Sequence, residues 1–262
     1  MGNICDCDKN GQDNNGVNPR TPLLSGNSHH TPITREPSGT ATGQSARSYK
    51  PEKSELISSL EELSLISLAR IQSVPSLDKT FQDHGKLYND LYSNFVDLRK
   101  CLNEFKAKFE ADTAGIPTIT ECLKLLAKQC GNARLIGSRT KNCIQITYDK
   151  RYVSQNCEGQ PEEVLETLEL YNKANKLIKN LLDKAPQVKS SITLVLEEEH
   201  KLKREVTKAD PDGKLGPEPL KLTSQNFIKL HKIPTSIDTI NNYTSKAFKE
   251  IVSGSKILFE DT

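Results

Sequence analysis

Residues 77–109 read LDKTFQDHGKLYNDLYSNFVDLRKCLNEFKAKF, and their spacing decides the fold. Leu77, Phe81, His84, Tyr88, Leu91, Phe95, Leu98, Leu102, Phe105 and Phe109 alternate steps of four and three without a break. That alternation holds one apolar seam along one side of a helix, in the manner of the a and d positions of a coiled coil. The other faces carry mixed charges, as a solvated helix does. A helix over 77–112 would be about 54 Å long. Gly115 and Pro117 close it.

Working outward, Pro51-Glu52 opens an earlier helical pattern. Leu56, Ile57, Leu60, Leu63, Ile66 and Leu68 recur there until Pro75. Downstream, an amphipathic segment over 119–130 stops at Gly131-Asn132. The piece from 133 to 155 reads two ways. Ile144, Ile146 and Tyr148 alternate as in a strand, while their neighbours suggest a helix, and helix is the expectation. Gly159-Gln160-Pro161-Glu162-Glu163 is a helix start, with proline in the first turn and acids at the positive end of the dipole. Its stripe is Val164, Leu168, Tyr171, Asn175, Ile178 and Leu182, and Pro186 is expected to break or kink it. Val188, Ile192, Val195, Leu202 and Val206 continue a helix beyond. Asp210-Pro211-Asp212-Gly213 and Gly216-Pro217 mark a loop. A short segment over 227–230 is expected to end at Pro234. A last helix then runs from Thr235 or Ser236 to Gly254 along Ile237, Ile240, Thr244, Ala247 and Ile251.

The sum is an all-α fold, an elongated coiled-coil-like helical bundle over 51–262. Residues 1–50 are rich in Gly, Asn, Ser, Thr and Pro. They hold too few apolar side chains to offset the entropy of ordering, so a disordered leader is expected there.

The totals narrow the function. The 36 basic and 34 acidic residues leave a net charge of +2, which argues against a dedicated nucleic-acid binder. Two regions lean basic. Residues 131–157 carry Arg134, Arg139, Lys141, Lys150 and Arg151 against Asp149, and residues 214–256 carry seven lysines against Glu218, Asp238 and Glu250. The seven cysteines are dispersed, with no C-x-x-C pair, and the first thirty residues hold no apolar run of the signal-peptide kind. A reducing, cytoplasmic setting with free thiols is the expectation. No metal or other cofactor is expected. No G-x-S-x-G, H-E-x-x-H, G-x-G-x-x-G or phosphate-binding loop occurs, so binding is expected rather than catalysis.

One motif carries specific chemistry. Met1-Gly2-Asn3-Ile4-Cys5-Asp6-Cys7 places glycine after the initiator methionine, the requirement for amide-linked myristate at Gly2. Asp6 stands where the usual pattern has Ser or Thr. Cys5 and Cys7 sit where palmitoylation commonly follows. The first four residues resemble those of the ADP-ribosylation factor GTPases, which are myristoylated; the likeness ends there, and no GTPase activity is implied. The plan of the first twenty-five residues, with Pro22-Leu23-Leu24, is similar to that of small acylated scaffold subunits of late endosomes and lysosomes. Asp6, Asp8, Asn10 and Gly11 match half of a calcium loop, but Val17 occupies the position of its bidentate acid.

These readings converge on a lipid-tethered helical adaptor at the cytoplasmic face of a membrane, the plasma membrane or an endosome or lysosome, with a cytosolic pool. Its seam of Leu77, Phe81, Tyr88, Leu91, Phe95, Leu98, Leu102, Phe105 and Phe109 would be offered to partner helices. The alternatives are a soluble coiled-coil subunit without lipid, or a helical-bundle enzyme or lipid carrier.

Overall fold

The computed structural model describes residues 60–113 and 115–259, which belong to one compact unit. In chain order the elements are α1 (Pro75–Ala107), a 3-10 turn (Glu110–Asp112), α2 (Ile119–Cys130), β1 (Ile136–Thr140), β2 (Cys143–Thr147), α3 (Lys150–Asn156), α4 (Pro161–Glu197), α5 (Glu199–Ala209) and α6 (Glu218–Ser255).

Three long helices build the core. Helix α1 starts on Pro75, whose missing N–H costs nothing in a first turn. It buries Leu77, Phe81, Tyr88, Leu91, Phe95, Leu98, Leu102 and Phe105 along one stripe. Phe109 continues the stripe just past its end. The stripe bends at one place, where Gly85 is buried and His84 sits beside it half-buried. A methyl group on Gly85 would come within 3.2 Å of the Leu68 side chain.

Cross-helix pairs give the directions. Phe81 meets Phe227 edge-on at 5.2 Å and Phe95 meets Tyr243 at 5.4 Å, so α1 and α6 ascend together. His84 bonds Ser191, whereas Asn94, further along α1, bonds Asn180, so α4 descends between them. Lys189–Asp238 and Tyr171–Ser255 repeat the antiparallel sense for α4 and α6. The result is an all-α, up-down-up helical bundle. Thr118 and Glu121 form a reciprocal capping box at the start of α2, which lies against the last turns of α6.

Both internal prolines are absorbed. Helix α4 runs on through Pro186 without a break, and α6 runs through Pro234, against the end expected there. Each proline leaves one carbonyl of the preceding turn without its helical donor, a cost of about 3 kcal/mol. Burial on either side outweighs it, through Ala185, Val188 and Ile192 in α4 and Ile233 and Ile237 in α6. The break that does occur falls at Glu198, where no proline or glycine stands. There α5 turns toward α6, with His231 on Glu199 at 2.8 Å and Lys203 over the Phe227 ring at 5.7 Å. The loop after α5 is as expected. Gly213 and Gly216 take positive φ, and the Asp210 carboxylate accepts from the Lys214 and Leu215 amides.

The first helical pattern is helical at Leu60 and Glu61 and ends there, well short of the expected stop at Pro75. Residues 63–71 have no regular structure and form a strap along α1 and α6. Leu56 and Ile57 lie outside the described residues. Polar side chains hold the strap. Asn89 accepts from the Ile66 N–H and donates to its carbonyl, both at 2.9 Å. Asn226 does the same to Ala69, at 2.7 and 2.8 Å. The Tyr88 and Tyr92 hydroxyls donate to the Ser64 and Leu63 carbonyls. Asp78 accepts from the Ile71 amide, and this bond with Arg70 holds its carboxyl below the usual range although burial opposes the shift. Its contribution is therefore present above the unfolded carboxylate pKa and is lost as pH falls through the lower folded value. An acid titration of Asp78→Asn should lack that component.

Asn226 is fully buried. Asn226→Asp keeps the acceptor, removes the donor and buries a charge, whereas Asn226→Ala removes both bonds. Each lost bond to a buried group costs about 1–3 kcal/mol. Thermal melts should place both variants several degrees below the parent, with the aspartate lower. An aspartate melting with the parent would mean that the clamp holds nothing.

Candidate functional site

The segment expected to be helical, 133–155, is a β-hairpin followed by the short helix α3. Its strand signal was the alternation of Ile144 and Ile146, both buried, with exposed Gln145 and Thr147. The strands pair antiparallel, with Thr140 opposite Cys143 across a two-residue turn, Lys141-Asn142. A lone hairpin is marginal in water, and α4 supports this one. Asn172 accepts from the Ile146 N–H at 2.9 Å and donates to its carbonyl at 2.8 Å, and Asn175 accepts from the Ile144 N–H at 3.3 Å. The outer edge of β2 is thereby satisfied by side chains instead of a third strand. Asn175 was read as a seam residue; buried, it also donates to the Tyr171 carbonyl. On β1, the Phe259 ring lies over Gly137, where an added methyl would come within 2.2 Å of it.

Around this hairpin the surface is cationic. Arg139 on β1 shares a shallow depression with Phe248, Lys249, Val252, Ser253 and Lys256 of α6 and its end. Lys141 lies in the turn. Lys176 and Lys179 lie on the stretch of α4 that passes β2, between Asn175, which bonds Ile144, and Asp183, which bonds Asn142. All six cations are exposed. Among the described residues none of the six pairs with a carboxylate. A second open depression on the other side of β1 is lined by Arg134, Ile136, Thr147, Tyr148, Asp149 and Tyr152. The nearby acids are engaged elsewhere. Asp149 caps α3 by accepting from the Arg151 and Tyr152 amides, Glu169 pairs with Lys150, and Asp183 accepts from Asn142.

The two basic regions of the sequence are thus partly merged by the fold. Arg139 of the first lines one depression with Lys249 and Lys256 of the second, and Lys141 follows two residues on in the turn. Lys214, Lys221 and Lys229 stand apart, pairing with Asp212, with Glu218 and with the Ser67 carbonyl. Lys176 and Lys179 were missed, because on α4 they read as an ordinary solvated face until the hairpin is placed beside them.

Two other features bring together groups of the kind catalysis uses. His84 Nδ1 lies 2.7 Å from the Thr80 carbonyl, which can only accept, so Nε2 is left to accept from Ser191 Oγ at 3.0 Å. That is a base facing a hydroxyl. Ser191, however, lies within α4, where the backbone N–H groups are spent on helical bonds and none can hold an oxyanion. The pair serves as a helix–helix bond. The four buried thiols are equally unsuited. Burial raises Cys101 and Cys143, Cys122 to about 11 and Cys130 to about 12, so these stay protonated and poorly nucleophilic at neutral pH.

Among the described residues no group of three or more His, Cys, Asp or Glu side chains could hold a metal. No described helix is long and apolar enough to cross a membrane. The seam residues, from Leu77 to Phe109, are taken up by the chain's own helices and are at most 3% exposed. A partner helix could reach them only by displacing α4 or α6. Gly2, Cys5 and Cys7, together with the half calcium loop and Pro22-Leu23-Leu24, lie outside the described residues.

No protein-family model matches the chain, and no curated protein and no solved structure matches it significantly.

Proposed function

We propose that this chain is a membrane-tethered adaptor, myristoylated at Gly2, acylated further at Cys5 or Cys7, and carrying a helical unit that binds partner proteins. The observation that carries this reading is the Met1–Cys7 motif, with the acceptor glycine and two cysteines inside the first seven residues. The helical unit supports a binding role, since the two depressions beside the hairpin are open and the His84–Ser191 pair lacks an oxyanion site. The partner-binding surface then belongs to the outer faces, where Leu87, Val96, Leu194 and Ile228 are exposed, and not to the seam. Residence on the cytoplasmic face of the plasma membrane or of endosomes and lysosomes, with a cytosolic pool, follows from reversible acylation. Intact mass of the chain from eukaryotic cells tests the tether directly. Loss of Met1 and gain of a myristoyl group are expected, and a free N-terminal glycine would leave the soluble coiled-coil subunit as the better reading.

A further inference from the structure

We propose that the cationic end of the bundle is itself a membrane-contact surface, which docks on anionic phospholipid headgroups whether or not Gly2 is acylated. Three observations carry it. The first is convergence. Arg139, Lys249 and Lys256 line one depression, and Lys141, Lys176 and Lys179 lie on the hairpin turn and on the stretch of α4 that passes β2, so the six come from three separate parts of the chain, all exposed and none paired with a described carboxylate. A solvated face usually mixes its signs, whereas here the nearby acids are engaged in a helix cap, an ion pair and a turn. Among the described residues Glu250, half-buried on α6, is a further acid close by, and Glu260 and Asp261, which follow Phe259 in the sequence, lie outside the described residues.

The second observation is the apolar content. Ile136, Tyr152 and Ile257 are each about half exposed at this end, and Phe248 and Val252 floor the depression between Arg139 and Lys249. Cations mixed with aliphatic and aromatic side chains suit a headgroup layer. The ammonium and guanidinium groups meet phosphates there, while the apolar tips enter the acyl boundary. A nucleic acid would instead want a groove that tracks its backbone.

The third is that the leader cannot do this work. Its Lys9, Arg20, Arg35, Arg47 and Lys50 are nearly cancelled by Asp6, Asp8, Asp13 and Glu36. Electrostatic attraction to an anionic leaflet must come from the helical unit.

The magnitude is useful. A basic side chain held near an anionic leaflet strengthens binding about fivefold at low screening. Reversing three of them should therefore weaken binding by at least about a hundredfold, and salt should weaken it further. The test uses the full chain made without an N-myristoyltransferase, so that Gly2 is unmodified. Co-sedimentation is measured with vesicles of phosphatidylcholine alone or mixed with phosphatidylserine. The parent should bind only the mixed vesicles and release in high salt. Arg139→Glu with Lys249→Glu and Lys256→Glu should abolish that binding. The milder triple change to Gln, which avoids new acids, should reduce it with circular dichroism unchanged.

Lys86→Glu is the control. Lys86 adjoins Gly85 at the strap, and the strap contacts Asn226, thirty residues and about 45 Å of helix from Lys256. It should bind as the parent does. Equal binding to both vesicle types, or a folded triple variant that binds like the parent, overturns the proposal. So does an acidic protein captured through these residues by a chain that ignores vesicles. None of these outcomes bears on the acyl group, which is read separately from the mass of the N-terminus.

Discussion

Leu98→Asp should unfold the helical unit at ordinary temperature. Leu98 is fully buried near the middle of the α1 stripe. Truncation alone, Leu98→Ala, removes transfer energy and leaves a cavity, together about 3 kcal/mol. The aspartate adds a carboxyl group at a fully buried position, which costs several kcal/mol more whether it stays charged or takes up a proton. A unit of this kind has a total stability on the order of 5–15 kcal/mol. The charged variant should consume much or all of that. Helical circular dichroism should be lost or the melting temperature fall by about 10–20 °C, with Leu98→Ala between it and the parent. Because the stripe faces α4 and α6, the loss should appear in the isolated chain with no partner present. An unchanged melt would mean that the stripe is not the core.

The second large effect concerns the other end of the chain. Gly2→Ala should move the protein from membranes to the soluble fraction. One myristoyl chain partitions with a constant of only about 10⁴ M⁻¹, so lasting attachment needs a second signal. Cys5 and Cys7 are candidates for it, and Gly2→Ala removes them as well, because the palmitoylating enzymes act on substrate already brought to the membrane. Cys5→Ser with Cys7→Ser should leave weak, diffuse attachment, and either alone a smaller defect. Acyl and cationic contributions separate by salt. What remains in the double serine variant should wash off at high ionic strength if the hairpin end provides it. Membrane fractionation of Gly2→Ala identical to that of the parent would exclude acylation as the anchor.

Much of the fold could be read from spacing, because burial imposes a period. The α1 seam, the start of α4 at Pro161 and the glycine-rich loop after α5 each follow from local rules. The errors share a cause, which is that tertiary contact outweighed a local signal. Pro186 and Pro234 look like stops until flanking burial is counted. Leu63, Ile66 and Leu68 have helical spacing, yet Tyr92, Asn89 and Gln82 offered their backbones a different set of hydrogen bonds. Ile144 and Ile146 did carry the period of a strand, but five-residue strands are short enough for helix-favouring neighbours to mask them. The cationic surface was half legible. Two basic regions stood out in the sequence, but only packing joins Arg139 to Lys249 and Lys256, and nothing local to α4 singles out Lys176 or Lys179.

The asparagine clamps bear on how such a protein can change over generations. An asparagine side chain carries the peptide group's donor and acceptor in one plane, with a second N–H to spare. Asn89, Asn172 and Asn226 each use that pair to stand in for one rung of a sheet. What they grip is backbone, which every residue except proline offers alike. The outward positions of the strap, such as Leu65 and Ser67, are therefore free to drift, while the residues that hold them are not. Aspartate lacks the donor, serine the reach, and glutamine places its amide one methylene too far. In a lineage of such chains the variable letters would belong to the held segments and the invariant ones to the helices that hold them, the reverse of what a helical bundle with decorative loops would leave behind.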